Sequence, residues 1–166
     1  NLISDSFKNW RRMAESSGRR IKRSILINTP GVRFLEEDEL EKLLKIERIS
    51  KYISEKSSEI NKENQLSKID KSLSINGRNL TNLGVFRYYI ENYLRKHQKI
   101  NNKMTVMCRQ LPPSQYGATP LEIYAFSVEK EWLKYEDLKS DIFDHLLASL
   151  KYFDLESFEM NFSKIK

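Results

Sequence analysis

Between Arg20 and Ile27, apolar Ile21, Ile25 and Ile27 fall on one parity and Arg20, Lys22 and Ser24 on the other. This period of two predicts a strand buried on one face, ended by the turn cluster Asn28-Thr29-Pro30-Gly31. Arg23 breaks the alternation, so it is expected either beyond the covered part of the sheet or with its head snorkelling to the sheet's edge. Next, Glu36-Glu37-Asp38-Glu39 puts acids where a helix N-terminus favours them. Leu40, Leu43, Leu44, Ile46, Ile49, Ile53 and Ile60 follow at helical spacing, which predicts one long amphipathic helix over about 36–62. Residues 62–79 are polar with scattered Leu66, Ile69, Leu73 and Ile75, and read as a loop or weak hairpin ending at the Asn76-Gly77 turn signal.

Thr81 or Asn82 can cap a second helix whose Leu83, Phe86, Ile90, Tyr93 and Leu94 make one stripe ending near His97. Met104–Leu111 and Leu121–Val128 have strand composition. They flank the turn-rich Pro112-Pro113-Ser114-Gln115-Tyr116-Gly117 and predict a hairpin with a long loop. Tyr135–Phe153 returns to helical spacing through Leu138, Ile142, Leu146 and Leu150, and Phe158, Met160 and Phe162 alternate as a last strand. If the two early helices act as one crossover, the order is β-α-β-β-α-β. The expected class is therefore α+β: a ferredoxin-like sandwich of residues 20–166 with a helical and polar insertion at about 47–79. Such a fold hosts many unrelated activities, so function must come from sites.

Charge sharpens the picture. The 166 residues hold 29 Lys and Arg against 23 Asp and Glu, a formal charge of +6. Residues 1–23 alone hold Lys8, Arg11, Arg12, Arg19, Arg20, Lys22 and Arg23 against Asp5 and Glu15, so nearly all the imbalance is N-terminal. Such an arm, with Phe7 and Trp10, can meet a phosphate backbone, an anionic lipid surface, a partner subunit or passing ions. It can equally be a solvated edge strand protected from aggregation by its cations. An RNA-binding module is one alternative, since ferredoxin-like sheets often carry stacking aromatics. Met104–Leu111, however, offers Thr, Met and Arg where an aromatic, Gly-containing run would be needed, and nucleic acid is not the expected partner. No stretch approaches the roughly 18 apolar residues that cross a bilayer. The chain starts at Asn1 and runs into Leu2-Ile3, and is expected to be a soluble piece of a longer protein.

Candidate chemistry is sparse. Asp141 and His145 stand at i and i+4, with Asp144 between them. A metal or an acid–base pair is geometrically possible there, but no third ligand follows, and a surface ion pair is the expected role. His97 is expected to complement a helix C-terminus. Cys108, the only cysteine, excludes an internal disulfide and reads as a small buried hydrophobe. Trp132 is expected at an element junction or subunit interface, and Tyr88, Tyr89 and Tyr93 mix inward and outward helix faces. No Gly-rich phosphate loop, His-Glu-x-x-His or Gly-x-Ser-x-Gly occurs. The expectation is a non-enzyme with no cofactor and no metal.

Several segments in order resemble one family. They are Phe7-Lys8-Asn9-Trp10-Arg11 with Ser17-Gly18-Arg19-Arg20-Ile21-Lys22-Arg23-Ser24, and Leu80-Thr81-Asn82-Leu83-Gly84-Val85-Phe86-Arg87. With them stand Met104-Thr105-Val106, Arg109-Gln110-Leu111, Pro120-Leu121-Glu122-Ile123-Tyr124 and Ser140-Asp141-Ile142-Phe143-Asp144-His145-Leu146. Together they resemble the cytoplasmic C-terminal region of MscS-like mechanosensitive channels, in the miniconductance, YbdG-type branch. The resemblance implies that residues 1–19 end a middle β domain and 20–166 form an α/β vestibule domain. It further implies a homoheptameric cage below a pore in the bacterial inner membrane, anchored by segments upstream of Asn1 and serving the osmotic stress response. Arg11, Arg12, Arg19, Arg20, Lys22 and Arg23 would then set the field of a subunit interface or vestibule wall facing permeating ions.

Overall fold

The computed structural model describes residues 18–160. Among them, β1 (Arg20–Ile27), β2 (Met107–Gln110) and β3 (Thr119–Phe126) form an antiparallel sheet in the order β1-β3-β2. Four α-helices accompany it: α1 (Glu37–Leu43), α2 (Ser50–Leu66), α3 (Asn82–Arg95) and α4 (Trp132–Ser149). The class is α+β.

Register explains the two faces of the sheet. Ile21 pairs with Ala125, Ile25 with Leu121, and Cys108 with Ile123. Residues paired across antiparallel strands point the same way, and all six are buried against the helices with Phe86, Ile90, Ile142, Phe143 and Leu146. Lys22 opposite Tyr124, and Ser24 and Arg109 opposite Glu122, occupy the other face.

The predicted long helix is two. α1 ends at Leu43, Ile46 takes an extended conformation (φ −81°, ψ 106°), a short 3-10 turn follows at Glu47–Ile49, and α2 begins at Ser50. The reason lies in phase. At about 100° per residue, one continuous helix would put Leu40, Leu43 and Leu44 roughly opposite Ile49, Ile53 and Ile60. Breaking the helix lets Leu43 (4% exposed), Ile49 (0%) and Ile53 (1%) enter one core.

The polar stretch after α2 is an ordered loop, and no residue of 67–80 lies in a strand or bridge. Buried Asn64 organises it: Nδ2 donates to the Arg78 carbonyl (2.9 Å), Oδ1 accepts from the Arg78 amide (3.0 Å), and its own carbonyl accepts from the Ile69 amide (3.0 Å). Lys71 Nζ donates to the carbonyls of Ser74 and Asn76. Gly77 sits at φ +68°, where a Cβ would lie 2.5 Å from Asn64 Oδ1.

Strand boundaries also move. Of Met104–Leu111 only Met107–Gln110 forms the strand, with the Leu111 amide still donating to the Pro120 carbonyl (3.0 Å), and the second hairpin strand begins earlier, at Thr119. α4 starts three residues before the predicted Tyr135, because the Glu131 carboxylate accepts from the amides of Leu133 and Lys134 (both 3.2 Å) and caps it. The predicted last strand shrinks to an antiparallel bridge of Ser157 with Ile27. Asn28 donates to the Glu156 carbonyl (2.9 Å) and Phe158 donates to the Leu26 carbonyl (2.8 Å). Phe162 lies outside the described residues. The chain thus returns along the edge of β1 opposite β3. No described helix is long and apolar enough to cross a membrane.

Candidate functional site

Two features carry the charged and titratable side chains singled out by the sequence. The first is the basic stretch. Arg11 and Arg12 lie outside the described residues, as does Trp10. The other four cations follow the alternation of β1 and its lead-in, and so diverge. Arg20 and Lys22 project from the face away from the helices, where the Arg20 guanidinium stands 6.0 Å from the Tyr124 ring centroid. Arg23, on the helix-facing parity, lays its guanidinium 4.3 Å over the ring of buried Phe143. This is the edge-snorkelling geometry, and such a contact contributes about 0.5–2 kcal/mol.

Arg19 is held at the start of α4. Its Nε donates to the Lys130 carbonyl (3.0 Å), its guanidinium lies 5.7 Å from the Tyr135 ring, and the Tyr135 hydroxyl donates to the Arg20 carbonyl. Just before it, Gly18 at φ +126° has no room for a side chain, since a Cβ would fall 1.3 Å from the Ser127 carbonyl oxygen. This close approach seats the basic stretch against the end of β3, with the Ser127 amide donating to the Arg19 carbonyl (2.8 Å). On the same outer face, buried Glu122 receives Arg109 Nε at 3.0 Å. None of Arg19, Arg20, Lys22 and Arg23 forms an ion pair with a described carboxylate.

The second feature was invisible as a unit in the sequence. His97 and His145 are 48 positions apart, yet packing of α3 against α4 brings both to Tyr93. The His145 and Tyr93 rings stack at 4.3 Å and 8°, and His97 meets Tyr93 edge-on at 5.7 Å. The Tyr89 hydroxyl lies 2.7 Å from His145 Nε2, and the Arg48 guanidinium, just before α2, is 5.3 Å from the Tyr93 centroid.

The expected Asp141–His145 ion pair does not form; His145 Nε2 takes the Tyr89 hydroxyl instead. Asp144 is exposed on the helix surface. His145 is exposed as a residue, but partial desolvation of its ring against Tyr93 lowers its pKa below the ordinary 6.5, with Arg48 acting in the same sense and Asp141 opposing. Burial likewise lowers His97, with Asp141 opposing and Lys99 and Arg48 acting in the same sense. Burial first, then Asp141, raises Tyr93. The arrangement favours a neutral imidazole that joins two helices through one hydrogen bond and one stack. Among the described residues, no group of three or more His, Cys, Asp or Glu side chains is placed to hold a metal ion.

Cys108 is 4% exposed and its thiol is pushed up to about 12, chiefly by burial and then by Glu91. It is packed as a small hydrophobe. Tyr88 points away from Tyr89 and stacks on Tyr52 of α2 at 3.7 Å and 9°, which accounts for the mixed faces of the tyrosine run. Trp132 is the first residue of α4 and stands 58% exposed beside Leu133 at 63%. The i, i+4 spacing of Tyr89 and Tyr93 was the one available signal that α3 presents an aromatic ladder to a partner helix. No family model matches the chain.

Proposed function

We propose that this chain is the non-catalytic cytoplasmic vestibule domain of an MscS-like mechanosensitive channel, and that its partners are identical subunits, permeating ions and a membrane anchor encoded upstream. One observation carries the reading: segments that resemble the family, scattered in sequence, are packed neighbours. Lys22 and Ser24 from the first segment pair with Tyr124 and Glu122 from the Pro120–Tyr124 segment. Phe143 from the Ser140–Leu146 segment receives Arg23, and Leu83, Val85 and Phe86 from the Leu80–Arg87 segment enter the same core.

The ferredoxin-like description belongs to this proposal too. With the Ser157 bridge counted as a reduced edge strand, the order becomes C-terminal segment, β1, β3, β2, with helices on one face. In the channel reading, Arg20 and Lys22 face the vestibule or a neighbouring subunit and raise the local anion concentration by their field.

Replacing Arg20 and Lys22 by Glu in the native gene product tests this. The expected outcome is a shift of ion preference toward cations or a change in oligomer size. Unchanged conductance, selectivity and assembly would remove the electrostatic role. The helix-free face also has the Tyr124–Arg20 contact that an RNA-binding sheet would use. Phe126, its neighbour on that face, is only 2% exposed and offers no stacking surface. Tight single-stranded RNA binding with a steep salt dependence would favour that second reading.

A further inference from the structure

A cleft of about 440 Å³ opens between α1 and the 3-10 turn Leu150–Phe153 that follows α4. Its position is set by buried chemistry. Asn82, 0% exposed, accepts from the Arg33 and Leu83 amides through Oδ1 (3.0 and 2.9 Å) and donates from Nδ2 to the Gly31 and Phe153 carbonyls (2.9 and 3.0 Å). Arg33 then spans the cleft, its guanidinium paired with Glu39 on one wall and Asp154 on the other. Asp154 holds a left-handed backbone (φ 50°), uncommon for a residue other than glycine.

The lining is chemically uneven. Leu43, Ile46 and Phe153 supply an apolar floor. Both lining acids, Glu39 and Asp154, are already engaged by Arg33, while Lys42, Lys45 and Lys151 also line the cleft and pair with no described carboxylate. Lys42 and Lys151 each sit in a last helical turn, which rewards a cation by a few tenths of a kcal/mol but does not require three to gather on one recess. Beside them Tyr152 is 65% exposed, with Lys151 Nζ 5.6 Å from its ring centroid. An exposed aromatic plane and an ammonium therefore stand within the span of one small molecule. The volume lies within the roughly 300–1,000 Å³ typical of small-molecule pockets.

We infer that this cleft binds a small phosphorylated molecule with an aromatic body, of the mononucleotide class: its ring on Tyr152 and the apolar floor, its phosphate on Lys42, Lys45 and Lys151. The inference stands apart from the channel reading and from the basic stretch of β1, which is a different surface.

The test is a titration of the isotopically labelled chain, followed by amide and side-chain NMR shifts, with AMP, adenosine and inorganic phosphate as separate probes. AMP is expected to shift residues 42–46 and 151–154 saturably, with adenosine and phosphate each binding about tenfold or more weakly. Lys42→Glu with Lys45→Glu, at exposed positions that leave the circular dichroism unchanged, is expected to weaken AMP by about tenfold or more, the loss of roughly 1.4 kcal/mol of attraction. Arg20→Glu with Lys22→Glu is expected to leave it unchanged. Absence of saturable shifts, equal binding of AMP and phosphate, or shifts centred on residues 19–23 would each overturn the inference.

Discussion

Replacing Asn82 by alanine deletes four hydrogen bonds at once. Two of them, to the Phe153 carbonyl and from the Leu83 amide, lie wholly out of solvent. The other two, with Arg33 and Gly31, are part-buried and regain water more easily. A buried backbone group left without a partner costs about 1–3 kcal/mol, so the two buried bonds with a smaller share from the others predict a loss of about 3–5 kcal/mol. For a chain of this size that corresponds to a fall in Tm of roughly 6–20 °C. Urea unfolding followed by circular dichroism measures it, with the slope of free energy against urea expected to match the parent. Asn82→Asp is the informative control: it retains an acceptor for Arg33 and Leu83 but loses both donors and introduces a buried charge, so it should be no better than alanine. A loss below about 1 kcal/mol with an unchanged slope would refute the view that this one amide holds the 31–33 turn, α3 and the 150–154 turn together.

Other outcomes follow from the same packing. His97 and His145 titrate below 6.5 when folded, so the unfolded chain binds more protons between the folded and unfolded values. Their contribution is full above pH 6.5 and is lost as pH falls through that window. The urea midpoint should therefore drop on acidification from neutrality towards pH 5, and His145→Gln should flatten that dependence, whereas an unaltered slope would refute the coupling. Gly77→Ala should cost about 1–3 kcal/mol in thermal unfolding, because a left-handed φ and the 2.5 Å approach to Asn64 Oδ1 act together; a neutral result would mean that the 67–79 loop yields freely. Arg109→Ala leaves the Glu122 carboxylate buried and alone, so it should destabilise more than the double variant with Glu122→Gln. A double-mutant cycle with no coupling would contradict the pairing.

Helix α3 was legible because Leu83, Phe86, Ile90, Tyr93 and Leu94 repeat in register and are all buried. β1 was equally plain from alternating Ile21, Ile25 and Ile27, and even its exception, Arg23, resolved as snorkelling. The break between α1 and α2 was present in the sequence as a phase slip between Leu43 and Ile49, but spacing at three and four residues disguises a reversal of face. Of the last strand only the Ser157 bridge to Ile27 forms among the described residues, because alternation at Phe158 and Met160 reports a preference for extended backbone and names no partner. Thr81 and Asn82 were equivalent as caps by type. The Thr81 hydroxyl takes the Gly84 amide at 3.0 Å, which releases Asn82 for the interior. The histidine ladder and the Lys42, Lys45, Lys151 cleft were out of reach because each gathers residues from distant positions, and single-chain periodicity carries no information on which helices become neighbours.

The most direct test of the channel reading is patch-clamp recording from membranes that hold the native gene product containing this chain. The account predicts that the product sediments with the membrane and passes current when tension is applied. A product that stays in the soluble fraction, or that sits in the membrane and conducts nothing under tension up to rupture, would contradict it.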